Sequence, residues 1–256
     1  MFILNLSLTA ARSVEMKLDL AKSLPWVKSS HRVEAIARSL GFKTHASLLA
    51  ATHDQETVPC IVEGSKFVSY LAEHGFEVTP IEFYVAAART AIRDVLEKVP
   101  NLTMAGIGSG QPQRKNGQWE TPEQHYARQL EWREEFFRDG SSMQFLLALA
   151  FIQRVKAIKT IGSGRGSYGL KHIAENFRCT FPEGAELGPR YVANGALIAA
   201  AVHAGFKFRK YFDHLGYESL NVSFNMSKVS VDDLDCEIRP NGAVAQSRKY
   251  RRLYAA

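Results

Sequence analysis

The spacing of apolar residues along the chain predicts a mainly helical protein. Apolar side chains recur every three or four positions in VEMKLDLAKSL, HRVEAIARSLGF and ASLLAAT, which predicts a small helical unit over residues 1–55. Two later runs, TPIEFYVAAARTAI and TPEQHYARQLEW, open with threonine then proline, a strong helix-start signal. Residues 65–256 are expected to form a larger helical domain, with an exposed polar loop over 101–120.

The carboxy-terminal half adds a strand pattern to the helical one. Helices are predicted over 141–157, 167–177 and 190–206, with a very short strand near 158–161. FKFRKYF (206–212) and LNVSFNMS (220–227) alternate between apolar and polar residues, which predicts two strands of a hairpin. The predicted fold class is therefore mainly α with a small antiparallel β component (α+β). The element order over about 142–228 is that of a winged helix-turn-helix domain.

The alternation assigns a direction to each side chain of the hairpin. Apolar residues are expected to face inward, and the basic residues between them outward. The predicted inward set is Phe206, Phe208, Phe212, Leu220, Val222, Phe224 and Met226, and the predicted outward set includes Lys207, Arg209 and Tyr211.

The run KTIGSGRGSYGLKHIAE (159–175) spaces three glycines as G-x-G-x-x-G. A dinucleotide-binding turn needs a parallel strand on each side of its helix, whereas here helices precede and follow. A phosphate-binding P-loop fails as well, because Leu170-Lys171-His172 stands where Gly-Lys-Ser/Thr is required. We predict instead a flexible entry into a helix capped by Ser167, with Arg165 and Lys171 near an anion site at the helix start.

Charge indicates the class of partner. The chain carries a net charge of +6 with a pI of about 9.2, which suits a polyanion such as DNA. The predicted helix over 190–206 is almost entirely small and apolar, so base readout is expected to be weak and binding mostly nonspecific. The predicted nucleic-acid contacts are Arg165, Ser167, Lys171, Arg190, Asn194, Lys207 and Arg209, with Arg248, Lys249, Arg251 and Arg252 in a loose basic tail.

Other classes of site find little support. Three widely spaced cysteines with no C-x-x-C pair argue against a thiolate zinc site and a disulfide framework, and they suit reduced thiols in the cytoplasm. No hydrolase or metal motif occurs, so no cofactor, metal or catalytic residue is expected. The amino terminus is a poor signal peptide and no run of 18 apolar residues exists, so no membrane partner is expected.

Two stretches resemble known bacterial sequences. SSHRVEAIARSLGFKTHASLLAA resembles an amino-terminal helical segment of many plasmid and integrative-element proteins and of some glyoxalase-superfamily proteins. KTIGSGRGSYGLKHIAE, with YVANGALIAAAVHAGF and NVSFNMS, is similar to the later part of uncharacterised proteins of such elements. The resemblance implies a bacterial accessory protein of a mobile element. It carries no catalytic residues across, and the glyoxalase metal-ligand pattern is not recognisable.

Three hypotheses follow. The first is nucleic-acid binding through the residues named above. The second is a phosphoester- or nucleic-acid-cleaving enzyme centred on Arg165, Lys171 and His172, with His172 as acid or base. The third is a protein-binding adaptor or inhibitor that presents apolar surface on the 190–206 helix.

Overall fold

The chain forms two compact units. The computed structural model describes residues 2–162 and 166–254, with side chains as far as Arg251. Unit 1 comprises Met1–Asp94 and Thr180–Ala185, and unit 2 comprises Val95–Cys179 and Glu186–Ala256. Helices joined by short antiparallel strand pairs make up both, which confirms a mainly α fold with a small antiparallel β component. The predicted boundary at 55–65 lies inside unit 1, and the observed one falls within a single long helix.

Unit 1 is a helical layer with one strand pair. Its elements are β1 (Asn5–Leu8), α1 (Ala10–Ser23), α2 (Ser29–Ser39), α3 (His45–Asp54), β2 (Val58–Ile61), α4 (Gly64–Glu73) and α5 (Pro80–Lys98), whose last turn belongs to unit 2. β1 and β2 pair antiparallel with Leu6 opposite Cys60. β1 was not predicted, although Leu4, Leu6 and Leu8 alternate and are all buried.

Unit 2 contains the longer series of elements. In chain order these are β3 (Leu102–Thr103), β4 (Gly106–Ile107), β5 (Arg114–Lys115), β6 (Gln118–Trp119), α6 (Pro122–Glu134), α7 (Asp139–Ile152), α8 (Ser167–Ala174), β7 (Cys179–Thr180), β8 (Glu186–Gly188), α9 (Asn194–His203), β9 (Phe208–Arg209), β10 (Ser223–Phe224), α10 (Lys228–Ile238) and α11 (Ala243–Tyr254).

Helix α9 forms the centre of unit 2. All of its residues from Asn194 to Ala201 are buried, and it packs on α7, which is buried over most of its length. Small side chains on α9 allow this close approach. At Gly195 an added Cβ would lie 1.8 Å from the Thr103 carbonyl oxygen, so only glycine fits there.

Three short segments form a ribbon beside this core, which we define as residues 156–158, 207–209 and 222–227. β9 and β10 pair antiparallel with Phe224 opposite Phe208, which confirms the predicted hairpin. Ala157 forms an isolated antiparallel bridge with Met226, so the segment 156–158, which we call the third strand of the ribbon, pairs with the residues that follow β10. The short strand predicted near 158–161 is not formed, because the bridge lies at Ala157 and residues 158–161 belong to no strand pair.

Asn225 holds the three segments of the ribbon together. Its backbone N–H donates to the Lys207 carbonyl, and its side-chain oxygen accepts from the Lys207 N–H at 2.7 Å. On the other side its carbonyl accepts from the Ile158 N–H, and its side-chain amide donates to the Ile158 oxygen at 2.8 Å. One side chain therefore completes a pair of backbone-like hydrogen bonds to each neighbouring strand.

Several local predictions are wrong. The segment 101–120 contains the pairs β3–β4 and β5–β6, and Leu102, Thr103 and Ile107 are fully buried, because close packing against α9 needs this segment. The basic tail, expected to be loose, is helical, because Arg248 to Arg252 lie within α11. In the hairpin Phe212 points outward and is 63% exposed, because regular pairing ends at Arg209.

Candidate nucleic-acid interface

The ribbon exposes cations that have no acidic partner. Phe208 lies opposite the buried Phe224, so its neighbours Lys207 and Arg209 point to the other face of the strand. Both side chains are exposed, and neither forms an ion pair with a carboxylate in the described part of the chain. By contrast Lys210, the next residue, bonds Glu218 at 2.9 Å.

The third strand adds two more cations. Lys156 and Lys159 flank the segment bonded to Asn225, and both are exposed. Neither has an ion-pair partner within the described ranges. Adjacent strands lie roughly 4.8 Å apart, so the outer strands of the ribbon are separated by roughly 10 Å. Neither lysine was predicted as a nucleic-acid contact, although Lys159 lies inside the strand predicted near 158–161 and Lys156 lies two residues before it.

Helix α8 begins against the ribbon. The Ser167 N–H donates to the Val222 carbonyl at 2.7 Å, and the Val222 N–H donates to Ser167 Oγ at 3.2 Å. The glycine-rich connection from Ile158 to Ser167 is thus tied at both ends to the central strand. Helix α8 and the hairpin therefore lie side by side, while Arg165 lies outside the described residues.

A cluster of polar and aromatic side chains occupies α8 and the segment before α9. We call it the tyrosine cluster, and it consists of Tyr168, Lys171, His172, Glu175 and Tyr191. The Lys171 ammonium lies 5.3 Å from the ring centre of Tyr168 and 4.9 Å from that of Tyr191. Lys171 is only 5% exposed, whereas the two tyrosines are 55% and 65% exposed. The lysine therefore lies beneath two accessible rings.

Glu175 bridges Lys171 and His172 within this cluster. One of its oxygens accepts from Lys171 Nζ at 2.8 Å, and the other contacts His172 Nδ1 at 2.8 Å. Burial by itself raises the pKa of Glu175, but the hydrogen bonds from Lys171 and His172 outweigh it and the net pKa is lowered. The Glu175 carboxylate therefore stays charged, and Lys171 is not a free phosphate ligand.

No family profile, curated protein or solved structure matches this chain. The contacts and charges of its own residues are therefore the basis for any functional proposal. Among the described residues, no group of three or more His, Cys, Asp or Glu side chains is arranged to hold a metal ion. Over the same residues, no helix combines the length and apolarity needed to cross a membrane.

Two predicted contacts are buried. Ser167 has no exposed surface and is the first residue of α8, not its cap, because its hydroxyl bonds the ribbon instead. Asn194 is 6% exposed, and its amide donates to the carbonyls of Ala105 and Leu220 and to Asn221. The prediction that Ser167 and Asn194 contact nucleic acid is wrong, because both serve packing within unit 2.

The burial of α9 has a wider consequence. A recognition helix must be accessible to enter a groove, and an adaptor surface must be exposed. The buried run from Asn194 to Ala201 meets neither condition. Over Asn194–Ala201 the helix therefore exposes neither side chains for base readout nor the apolar surface that the adaptor hypothesis requires.

The remaining predicted cations are scattered. Arg190 precedes α9 and donates from Nε to the Leu187 carbonyl at 2.6 Å. Arg248 on α11 forms an ion pair with Asp233 at 2.6 Å, whereas Lys249 and Arg251 are exposed and have no acidic partner among the described side chains. The side chain of Arg252 lies outside the described set.

A serine–histidine contact was not anticipated. Ser109 Oγ lies 2.8 Å from His125 Nε2, and Gly108 and Gly110 on either side both have positive φ. The same Nε2 is 3.0 Å from the Gly110 carbonyl, which can only accept a hydrogen bond. Nε2 therefore carries a hydrogen and donates, so His125 does not act as a base toward Ser109 in this arrangement.

Unit 1 has a cationic groove of its own. A cavity of about 360 Å³ is lined by Arg38, Lys43, Lys66, Tyr70 and Glu73, among others. The Arg38 guanidinium lies 4.9 Å from the Tyr70 ring centre, and Lys66 bonds Glu63 at 2.6 Å. Glu63 and Glu73 therefore offset part of the positive charge of this groove.

Proposed function

We propose that this protein binds nucleic acid through the ribbon of unit 2. Lys156, Lys159, Lys207 and Arg209 supply the phosphate contacts. Duplex DNA carries a charge every ~1.7 Å of its axis, so cations spread over roughly 10 Å meet several phosphates at once. The observation that carries the proposal is the Asn225-centred ribbon, which presents exposed cations without acidic partners in the described chain.

We further propose that residues from about 142 to 228 form a winged-helix-like region. Element order supports this, since α7, the bridged segment 156–158, α8, α9, β9 and β10 follow in the expected sequence, with the short strands β7 and β8 inserted between α8 and α9. The bridge between Ala157 and Met226 supports it too, because it places the last strand between the first and the second. The buried α9 makes the hairpin, rather than a helix, the binding element, so recognition is largely independent of sequence.

The salt dependence of binding tests the proposal. Fluorescence anisotropy with a short labelled duplex, between about 50 and 200 mM salt, should give a linear fall of log K with log salt. The double variant Lys207→Ala/Arg209→Ala should weaken binding at low salt by about tenfold or more. It should also reduce the magnitude of the slope by about 1.8, because two phosphate contacts are lost.

A matched variant controls for net charge. Lys17→Ala/Lys22→Ala removes two exposed lysines from α1 in unit 1, and it should leave the slope unchanged. Equal losses in the two double variants, or no binding of either duplex or single-stranded DNA at low salt, would reject the ribbon as the interface.

The tyrosine cluster supports a second candidate function. The 2.8 Å contact between Glu175 and His172 Nδ1 orients the imidazole, as a carboxylate does for a catalytic base. We propose phosphoester cleavage with His172 as acid or base as the alternative to simple binding. Metal-independent cleavage of an oligonucleotide should then disappear in His172→Ala while its unfolding curve is unchanged, and retained cleavage in that variant would exclude the role.

We retain the cellular setting as a proposal. The resemblance of the quoted runs supports a cytoplasmic accessory protein of a bacterial mobile element. The three cysteines are free thiols, and burial raises the pKa of Cys60 to about 11, which keeps that thiol protonated. Expression alongside the genes of such an element, measured by transcript mapping, tests this setting.

A further inference from the structure

The tyrosine cluster has features that a phosphate site does not need. Tyr168 and Tyr191 come from different elements, yet both rings lie about 5 Å from the same buried ammonium. Each ring is positioned by a cation–π contact with the Lys171 ammonium. More than half of each tyrosine nevertheless remains exposed to solvent. The Lys171 charge is in turn fixed by Glu175 at 2.8 Å. The rings are thus held in place before any ligand binds.

The position of the cluster indicates what it contacts. Tyr168 follows Ser167, whose backbone and hydroxyl bond Val222 of the ribbon. A nucleic-acid strand whose phosphates lie on the ribbon therefore has its bases within the neighbourhood of α8. An aromatic side chain can stack only on a base whose face is open, and in a duplex neighbouring base pairs cover both faces.

We infer that Tyr168 and Tyr191 form a stacking site for unpaired nucleobases, so that this protein takes single-stranded nucleic acid in preference to a duplex. The inference rests on the proposed function, because the ribbon supplies the phosphate contacts. Lys171 acts as a positioning residue that holds the rings. Stacking accepts every base, so little sequence preference is expected.

A fluorescent base tests the site directly. A single strand carrying 2-aminopurine, whose emission falls when it stacks, should be quenched on addition of the wild-type protein. The double variant Tyr168→Leu/Tyr191→Leu should abolish the quenching and weaken single-strand binding by about tenfold, since stacking on one base contributes that order of affinity. Binding to the matched duplex should change less than twofold.

Three controls separate stacking from other causes. Tyr168→Phe/Tyr191→Phe keeps both rings and should retain quenching and affinity. Tyr126→Leu removes a comparably exposed tyrosine from α6 in unit 2 and should have no effect on either readout. DNA and RNA versions of the same single strand show whether the protein prefers deoxyribose or ribose. The inference requires that at least one of them gives quenching with the wild-type protein and loses it with Tyr168→Leu/Tyr191→Leu.

The outcomes distinguish this inference from the proposed function. If the wild-type protein binds no nucleic acid at low salt, the proposed function fails and the stacking site falls with it. If the protein binds with the predicted salt slope, but the leucine variant still quenches 2-aminopurine or loses duplex and single-strand affinity equally, only the stacking site is rejected.

Discussion

Helix α9 and the ribbon lie in the same unit and illustrate opposite uses of polar groups. In α9 the small side chains serve close packing, and Asn194 bonds backbone carbonyls of neighbouring segments. In the ribbon the polar side chains either hold strands together, as Asn225 does, or extend outward without an acidic partner in the described residues, as Lys207 and Arg209 do. We therefore expect the larger share of stability to come from the packing of the helix, and the proposed binding to depend on the exposed cations of the ribbon.

The largest expected effect is a loss of stability when the close packing of α9 is disturbed. Gly195→Ala would place a methyl group 1.8 Å from the Thr103 carbonyl oxygen, a backbone atom that cannot move aside. We expect a loss of about 3 kcal/mol in the free energy of unfolding, measured by urea denaturation. Gly140→Ala in α7 is the matched control, because no atom lies within 4 Å of the added Cβ and the change should be neutral or slightly stabilising. Equal unfolding curves for the two variants would contradict the packing account.

A smaller effect on stability is expected from the ribbon. Asn225→Ala removes the side-chain hydrogen bonds to Lys207 and Ile158, which should cost about 1–3 kcal/mol. The Lys207 amide should then exchange faster with deuterium, since its acceptor is gone. Nucleic-acid affinity should fall as well, because the outer strands lose their register. Asn176→Ala is the control, because it removes an exposed side chain that, among the described residues, bonds the His172 carbonyl alone. It should change neither the stability, nor the exchange of the Lys207 amide, nor the affinity. Equal losses in the two variants would argue against the role of Asn225.

The smallest effect concerns Glu175, the carboxylate that pairs with the buried Lys171. Because the folded pKa of Glu175 lies below its usual value of 4.5, the ionised carboxylate stabilises the folded state above that pH. This contribution is lost as pH falls below 4.5 and through the lowered pKa. The stability gap between wild type and Glu175→Gln, from urea midpoints, should therefore be widest near neutral pH and narrow in acid. Glu186→Gln, an exposed carboxylate with no partner among the described residues, should follow wild type throughout. A stability difference between wild type and Glu175→Gln that does not change with pH would contradict the lowered pKa of Glu175.

Sequence patterns predicted the ribbon better than the rest of the interface. The alternation in FKFRKYF and LNVSFNMS correctly placed Phe208, Val222 and Phe224 on the buried side and Lys207 and Arg209 outside. Alternation follows from the two-residue repeat of a strand, so it is readable locally. The role of Asn225 was not readable, because its partners lie 18 and 67 residues away.

The helical part shows why other predictions failed. Asn194 was predicted as a DNA contact because an amide side chain can read base edges, whereas its amide donates to the carbonyls of Ala105, between β3 and β4, and of Leu220. The Asn116-Gly117 pair was a readable hairpin signal inside a segment taken as an irregular loop. Contacts between distant segments decided the first case, and an overlooked local rule decided the second.

The most direct test of the ribbon as the interface is an NMR titration of the isotope-labelled protein with a short oligonucleotide. The account predicts amide shift changes at 156–159, 207–210 and 222–227, with little change across 195–201 of α9. Shifts confined to the unit 1 groove around Arg38, Lys43 and Lys66, with none in the ribbon, would contradict it.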